Sequence, residues 1–351
     1  MPLNLESSGF DLICGPYAHG GPSGIGEIKT TPDDFIVEEI LGFEPEGYGE
    51  HVFLFIEKIG ENTEYVARLL ARHAGVRQRD IGYAGLKDRH GRTRQWFSVW
   101  LPGKDDPDWS AVESETLKVL QAVRHPRKLK RGVLVGNRFE ILLRNWQGDR
   151  TQTDSQLRQI QAHGFPNYFG PQRFGHQGRN LEKALALFGG AKIKREQASI
   201  YLSAARSYLF NLILAERVRQ GCWNRALAGD VFKLAASNSV FADEAADAGL
   251  SARVVAGEIH PTAVMYGKSG LFAVADAGEI EQSVLNNNPL LVEGLRDHAD
   301  AADRRALRAI PGELRWNWES QGLRLVFSLP AGSYATALVR ELIGCDNAGD
   351  L

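Results

Sequence analysis

The stretch that most constrains this chain is Gly82-Tyr83-Ala84-Gly85-Leu86-Lys87-Asp88-Arg89-His90-Gly91-Arg92-Thr93-Arg94-Gln95. One carboxylate, Asp88, stands among Lys87, Arg89, Arg92 and Arg94, between glycine-bearing turns. After it, Gln95-Trp96-Phe97-Ser98-Val99-Trp100 has the aromatic content and alternation of a strand. The stretch therefore reads as strand, polar loop, strand, with the acid on the loop. Nearby cations favour the charged form of a carboxylate and lower its pKa. Such an acid, in a field that attracts phosphate, is suited to nucleophilic attack on a polyanionic substrate. The plain alternative is a solvated turn whose Asp bonds its own backbone.

The flanking pattern is that of a mixed α/β or α+β core. Asp34–Ile40 and His51–Lys58 alternate as strands, and Asn62 and Thr63 can cap a helix with Val66, Leu69, Leu70 and Ala74 on its apolar face. Gly75 suits its end. A helical stretch is expected to finish near Val123. The densest basic run follows it, Arg124-His125-Pro126-Arg127-Lys128-Leu129-Lys130-Arg131, ahead of a strand with Phe139, Ile141 and Leu143 on one face. If that strand lies beside the Asp88 hairpin, Arg124, Arg127, Lys128, Lys130 and Arg131 would line the same opening and neutralise phosphates.

Beyond Asn145 the texture changes. Thr153 is expected to cap a helix carrying Leu157 and Ile160, ended by Gly164. The aromatic, glycine-rich segment 167–174 reads as a turn core rather than a nucleotide clamp. Helices are expected from Asn180 and over about 199–220, short strands with acidic turns over 225–280, and a last helix near 291–309. A strand pattern returns at Leu323–Leu329.

Lys and Arg number 41 against 43 Asp and Glu, a formal net charge of -2, so global basicity gives no nucleic-acid signal and any basic groove must be local. Cys14, Cys222 and Cys345 are odd in number and far apart, which fits a reducing compartment and excludes a disulfide framework. No Lys or Arg precedes Lys29, so a signal peptide's charged region is missing, and no apolar run is long enough to span a bilayer. A cytoplasmic protein is expected. The histidines show no paired ligand spacing, and the glycine-rich segment 15–26 lacks the Lys-Ser/Thr of a phosphate loop. No metal and no small-molecule cofactor are expected.

Five segments, in order, resemble the tRNA pseudouridine synthase D family. They are Asp34-Phe35-Ile36-Val37-Glu38-Glu39, Gly82–Asp88 with Thr93-Arg94-Gln95, Gly136-Asn137-Arg138-Phe139, Pro166–Gly175 and Leu329–Thr336. The resemblance implies an α+β fold in which a catalytic domain with a mixed, largely antiparallel sheet (1–165 and 309–351) is interrupted by an inserted α+β domain (166–308). It implies a V-shaped molecule whose basic cleft receives a flipped-out uridine of tRNA, at position 13 by likeness to bacterial members. Asp88 would be the nucleophile, attacking ribose C1′ or uracil C6 or assisting glycal formation. Phe35, Asn137 and Tyr334 would bind uridine. Phe139 would receive the base or serve as core packing, Asn137 would face the uracil edge or hold the Asp88 loop, and Lys87 would orient Asp88 or meet a phosphate. The expected partner is tRNA, the expected state a monomer, with no membrane. Rival readings are a silent RNA-binding protein and an aspartate-dependent glycosidase, though the latter usually pairs two carboxylates.

Overall fold

The computed structural model describes residues 15–87, 91–235, 237 and 239–344. In chain order come β1 (Gly24–Glu27), β2 (Phe35–Leu41), β3 (His51–Ile59), α1 (Thr63–His73), β4 (Ile81–Tyr83), β5 (Arg92–Trp100), β6 (Leu117–His125) and β7 (Leu134–Gly148). Then follow α2 (Arg150–His163), β8 (Phe165–Pro166), α3 (Arg179–Phe188), α4 (Arg195–Arg219), β9 (Val231–Leu234), β10 (Val240–Ala242), α5 (Ala248–Val255) and β11 (Ile259–Met265). The chain ends with α6 (Ala275–Asn286), α7 (Pro289–His298), β12 (Asp303–Ala306), β13 (Arg308–Ala309), β14 (Gly312–Glu319), β15 (Gly322–Pro330) and α8 (Ala335–Ile343). The described residues pack as two compact units, one of 25–147 and 311–332, the other of 15–24, 148–310 and 333–344.

The first unit is built on a sheet of order β14-β15-β7-β2-β5-β3-β6, with β1 added on β7 and β4 on β5. Only the β2–β5 pairing is parallel along this path, so the sheet is mixed and largely antiparallel, as an α+β fold requires. One face carries α1, which turns Val66, Ala67, Leu70 and Ala71 onto Val52, Leu54, Ile56, Phe97 and Val99. Burying Val66 and Leu70 contributes about 1.5–3 kcal/mol each. Beyond the helix Gly75 adopts φ +61°, a conformation that favours glycine.

The second unit surrounds α4, which is buried around most of its circumference through Tyr201, Ala205, Leu209, Phe210, Ile213 and Leu214. Helices α3, α6 and α7 pack on it, and so does β11 of a small sheet ordered β10-β9-β11-β12. His260 lies on β11, one of that sheet's two inner strands. His260 accepts a hydrogen bond from the Arg308 guanidinium at 3.0 Å. Burial, with Arg308 and Lys233 nearby, pushes its pKa down to about 4. An unfolded histidine titrates near 6.5, so between those values the unfolded chain binds the extra proton and stability falls as pH drops. Acidification from pH 7 to pH 4 is expected to cost about 3 kcal/mol through this group. His260→Gln should flatten that part of a urea-denaturation profile against pH.

Four expectations are corrected. The stretch leading to Val123 is β6, not a helix: a bulge opposite Phe55 and Ile56 leaves Leu120 outside the ladder and breaks the two-residue period. Asp149, not Thr153, caps α2 by accepting from the amides of Thr151 and Gln152; the Thr153 hydroxyl donates to the Asp149 carbonyl instead. The helix expected over 291–309 stops at His298. Beyond it, pairing of β12 with β11 overrides the helical propensity of Ala302–Leu307, because Arg304 gains a buried ion pair with Glu281 and bonds to Thr262. The 225–280 segment contains two helices, α5 and α6, besides its strands.

Candidate active site

The β4–β5 connection is held from beneath by two buried polar side chains. Gln95, fully buried on β5, donates to the Gly85 carbonyl at 2.6 Å and accepts from the Thr63 hydroxyl at 3.0 Å. That hydroxyl accepts from the Lys87 amide at 3.1 Å. Thr63, expected only as a cap, therefore begins α1 while its side chain fixes the loop; Asn62 stands at the N-cap position.

The Lys87 side chain, 12% exposed, turns inward. Its Nζ donates to Asn137 Oδ1 at 2.7 Å and pairs with Glu39 Oε1 at 3.1 Å. Glu39 and Asn137 are direct partners in the antiparallel β2–β7 register, which places them together under the lysine. The other Glu39 oxygen accepts from the Trp96 amide at 2.9 Å. Burial raises the Glu39 carboxyl above the usual range, against the opposing pull of Lys87. A buried charge without a partner is costly, so carboxylate, ammonium and amide lock one another in place.

Phe35 and Phe139 lie on neighbouring strands with ring centroids 6.4 Å apart, edge to face, and Phe139 stacks on Phe327 at 5.4 Å. Both are nearly buried. Lys29, at a positive φ of 58°, sets its ammonium 4.6 Å above the Phe35 ring. Gly91 packs so closely that a Cβ would stand 2.6 Å from the Phe35 carbonyl oxygen, so only glycine fits. Asp88, Arg89 and His90 lie outside the described residues. Both flanks of Asp88 are thus anchored: Lys87 by Thr63, Glu39 and Asn137, and Gly91 against Phe35.

Of the cations expected around Asp88, Arg92 and Arg94 have carboxylate partners among the described residues. Arg92 pairs with Asp33 and Glu57, and Arg94 with Glu57 and Glu38. The strand carrying Asn137 is not beside the hairpin, since β2 lies between β7 and β5, yet Asn137 still reaches Lys87. In the basic run, Arg124 is tied to Asp106 and to the Gly49, Leu101 and Lys104 carbonyls, and Lys128 donates to the Arg79 carbonyl at 2.6 Å. Arg127, Lys130 and Arg131 are exposed.

Tyr334 belongs to the second unit. Its hydroxyl accepts from Arg173 at 2.7 Å, and its ring lies 5.8 Å from that of Phe169. Arg305 crosses the same cluster, 4.0 Å over Phe169. Tyr168, Phe169 and Phe174 are buried, so segment 167–174 is a turn core.

Sequence reasoning missed Glu39, Gln95 and Lys29 as individual contributors. Glu39 and Gln95 sit inside quoted motifs, and the available signal was a polar residue where strand alternation points inward. Among the described residues, no group of three His, Cys, Asp or Glu side chains is placed to hold a metal, and no helix is long and apolar enough to cross a membrane.

A loop locked by buried polar contacts on a mixed sheet is the kind of frame that presents a reactive side chain. The family model described as tRNA pseudouridine synthase D (TruD) matches residues 14–186 and 176–342. The chain is 50% identical to a tRNA pseudouridine synthase D of Methylococcus capsulatus over 352 residues, covering 99% of each, and 46% identical to one of Hydrogenovibrio crunogenus, covering 97% of this chain and 98% of that one. A solved structure from Methanosarcina mazei bearing the same family designation superposes with a TM-score of 0.74 at 22% identity, over 95% of this chain and 97% of that one. This chain belongs to the tRNA pseudouridine synthase D family.

Proposed function

We propose that this chain isomerises a uridine of tRNA, at position 13, to pseudouridine, with Asp88 as the nucleophile. The observation that carries the reading is the buried Glu39–Lys87–Asn137 network, which fixes the backbone immediately before Asp88 in a chain of this family. Pseudouridine formation breaks the N1–C1′ bond, turns the base and joins C5 to C1′. The base is neither oxidised nor reduced and no group is donated, so the demand on the protein is geometric. The target leaves its stack, and an aromatic surface receives it. Phe35, Asn137 and Tyr334 are assigned to the uridine, with Phe139 backing Phe35. Lys87 is assigned to orienting Asp88, in keeping with its inward ion pair rather than a phosphate contact.

Arg127, Lys130 and Arg131 are assigned to tRNA phosphates. Reversing these three to Glu is expected to weaken tRNA binding by at least about tenfold and to flatten its salt dependence. Arg124 and Lys128, committed to carbonyls, should affect stability more than affinity.

The test is incubation with an unmodified tRNA transcript, followed by reverse-transcription mapping and mass analysis. A new pseudouridine at position 13 with unchanged RNA mass is expected. Free uracil with an abasic site would replace this reading with a glycosidase, and unaltered RNA with a silent binding protein.

A further inference from the structure

The second unit carries a run of exposed positive charge on α3, on the start of α4 and on the chain between them. Between Gly175 and Glu196 the chain carries Arg179, Lys183, Lys192, Lys194 and Arg195 against Glu182 and Glu196, in a protein whose formal net charge is -2. All five side chains are exposed. Among the described residues none of the five forms an ion pair, unlike Arg92, Arg94 and Arg124 of the first unit.

The fold brings them to one surface. Arg179 and Lys183 lie one turn apart on α3, about 6 Å along its axis. The Lys183 ammonium sits 5.3 Å from the Tyr201 ring, which ties the middle of α3 to the first turns of α4. Arg195 opens α4, about 9 Å from Tyr201 at ~1.5 Å per residue, with Lys192 and Lys194 just before it. Like charges gathered on one surface repel, and the neighbouring Glu182 and Glu196 offset only part of that repulsion. A polyanion would offset the rest.

We propose that this α3–α4 surface is an RNA-docking face that grips the sugar-phosphate backbone of tRNA away from the target uridine. The inference rests on the reading of the chain as a tRNA-modifying enzyme and extends it to contacts no motif marks. Long, flexible lysines on a helical face read phosphate charge and carry no base specificity, so the face supplies affinity rather than choice of uridine.

The test uses the full chain with R179Q, K183Q, K192Q, K194Q and R195Q combined, and fluorescence anisotropy with an unmodified tRNA transcript over a range of KCl. The dissociation constant at 0.15 M salt is expected to rise by at least about tenfold, and the slope of its logarithm against log salt to fall by about 3.5, at ~0.7 for each of the five lost contacts. Pseudouridylation at saturating tRNA should keep its rate while KM rises. Should the fivefold variant fail to fold, K192Q, K194Q and R195Q alone, on the connection and first helical residue, carry the test with a proportionate loss. A control removes Arg219, Arg225, Arg253, Lys268 and Arg296 of the same unit. Unchanged affinity and slope overturn the proposal, as does an equal loss in the control. Normal tRNA binding with loss of an acidic protein partner would overturn it also. Surface-dependent tRNA binding without any pseudouridine formed would leave this face standing and defeat the isomerase reading instead.

Discussion

Replacing Asp88 with Asn is expected to lower pseudouridine formation by at least about three orders of magnitude while tRNA affinity stays within about threefold of wild type. An amide has nearly the shape of the carboxylate but is a far weaker nucleophile. The backbone on both sides of the position is held by contacts that do not involve residue 88. Lys87 is fixed through its amide by Thr63 and through its ammonium by Glu39 and Asn137, and Gly91 is wedged against the Phe35 carbonyl. The substitution should therefore remove chemistry and leave the frame. Release of tritium from 5-tritiated uridine in tRNA, under single-turnover conditions, reads the chemical step directly. A variant that keeps the wild-type rate would move the nucleophile to another residue.

What was legible in the sequence was local. The strand–loop–strand around Asp88, the Asn137–Phe139 strand and the long α4 helix all follow from period and punctuation within single segments. The contacts that make the loop rigid were not legible, because each joins residues distant in sequence through sheet register. Glu39 meets Asn137 only because β2 and β7 run antiparallel in that register, and Lys87 reaches both from a third element. Thr63 read as a cap because a threonine before an apolar helix usually is one; its hydroxyl was needed elsewhere. The misread helices have the same origin. At Leu120 a bulge hid the strand period, and at Arg304 a buried ion pair outweighed propensity. Nor does charge along the chain reveal the partners of Arg92 and Arg94, which are Asp33, Glu38 and Glu57.

Removing the Glu39 side chain is expected to cost about 3–5 kcal/mol of stability, because it strands the Lys87 ammonium in a site built for a carboxylate. It also leaves the Trp96 amide without its acceptor. Glu39→Gln keeps an oxygen for Trp96 but gives up the charge, so its cost should be smaller and should fall mainly on Lys87. The activity loss in both variants is expected to exceed what partial unfolding explains, since the loop before Asp88 loses one of its fixing points. Stability and positioning separate in a double-mutant cycle with Lys87→Met. With both charges gone, no unpaired ion remains, and the Glu39→Ala, Lys87→Met protein should recover much of the stability lost in Glu39→Ala. It should not recover activity, because nothing then orients the loop. Chemical denaturation and single-turnover pseudouridylation on the four proteins check the two halves independently. Stability changes that simply add would mean Glu39 and Lys87 are not energetically coupled, and full activity in the double variant would mean that the loop is held without them.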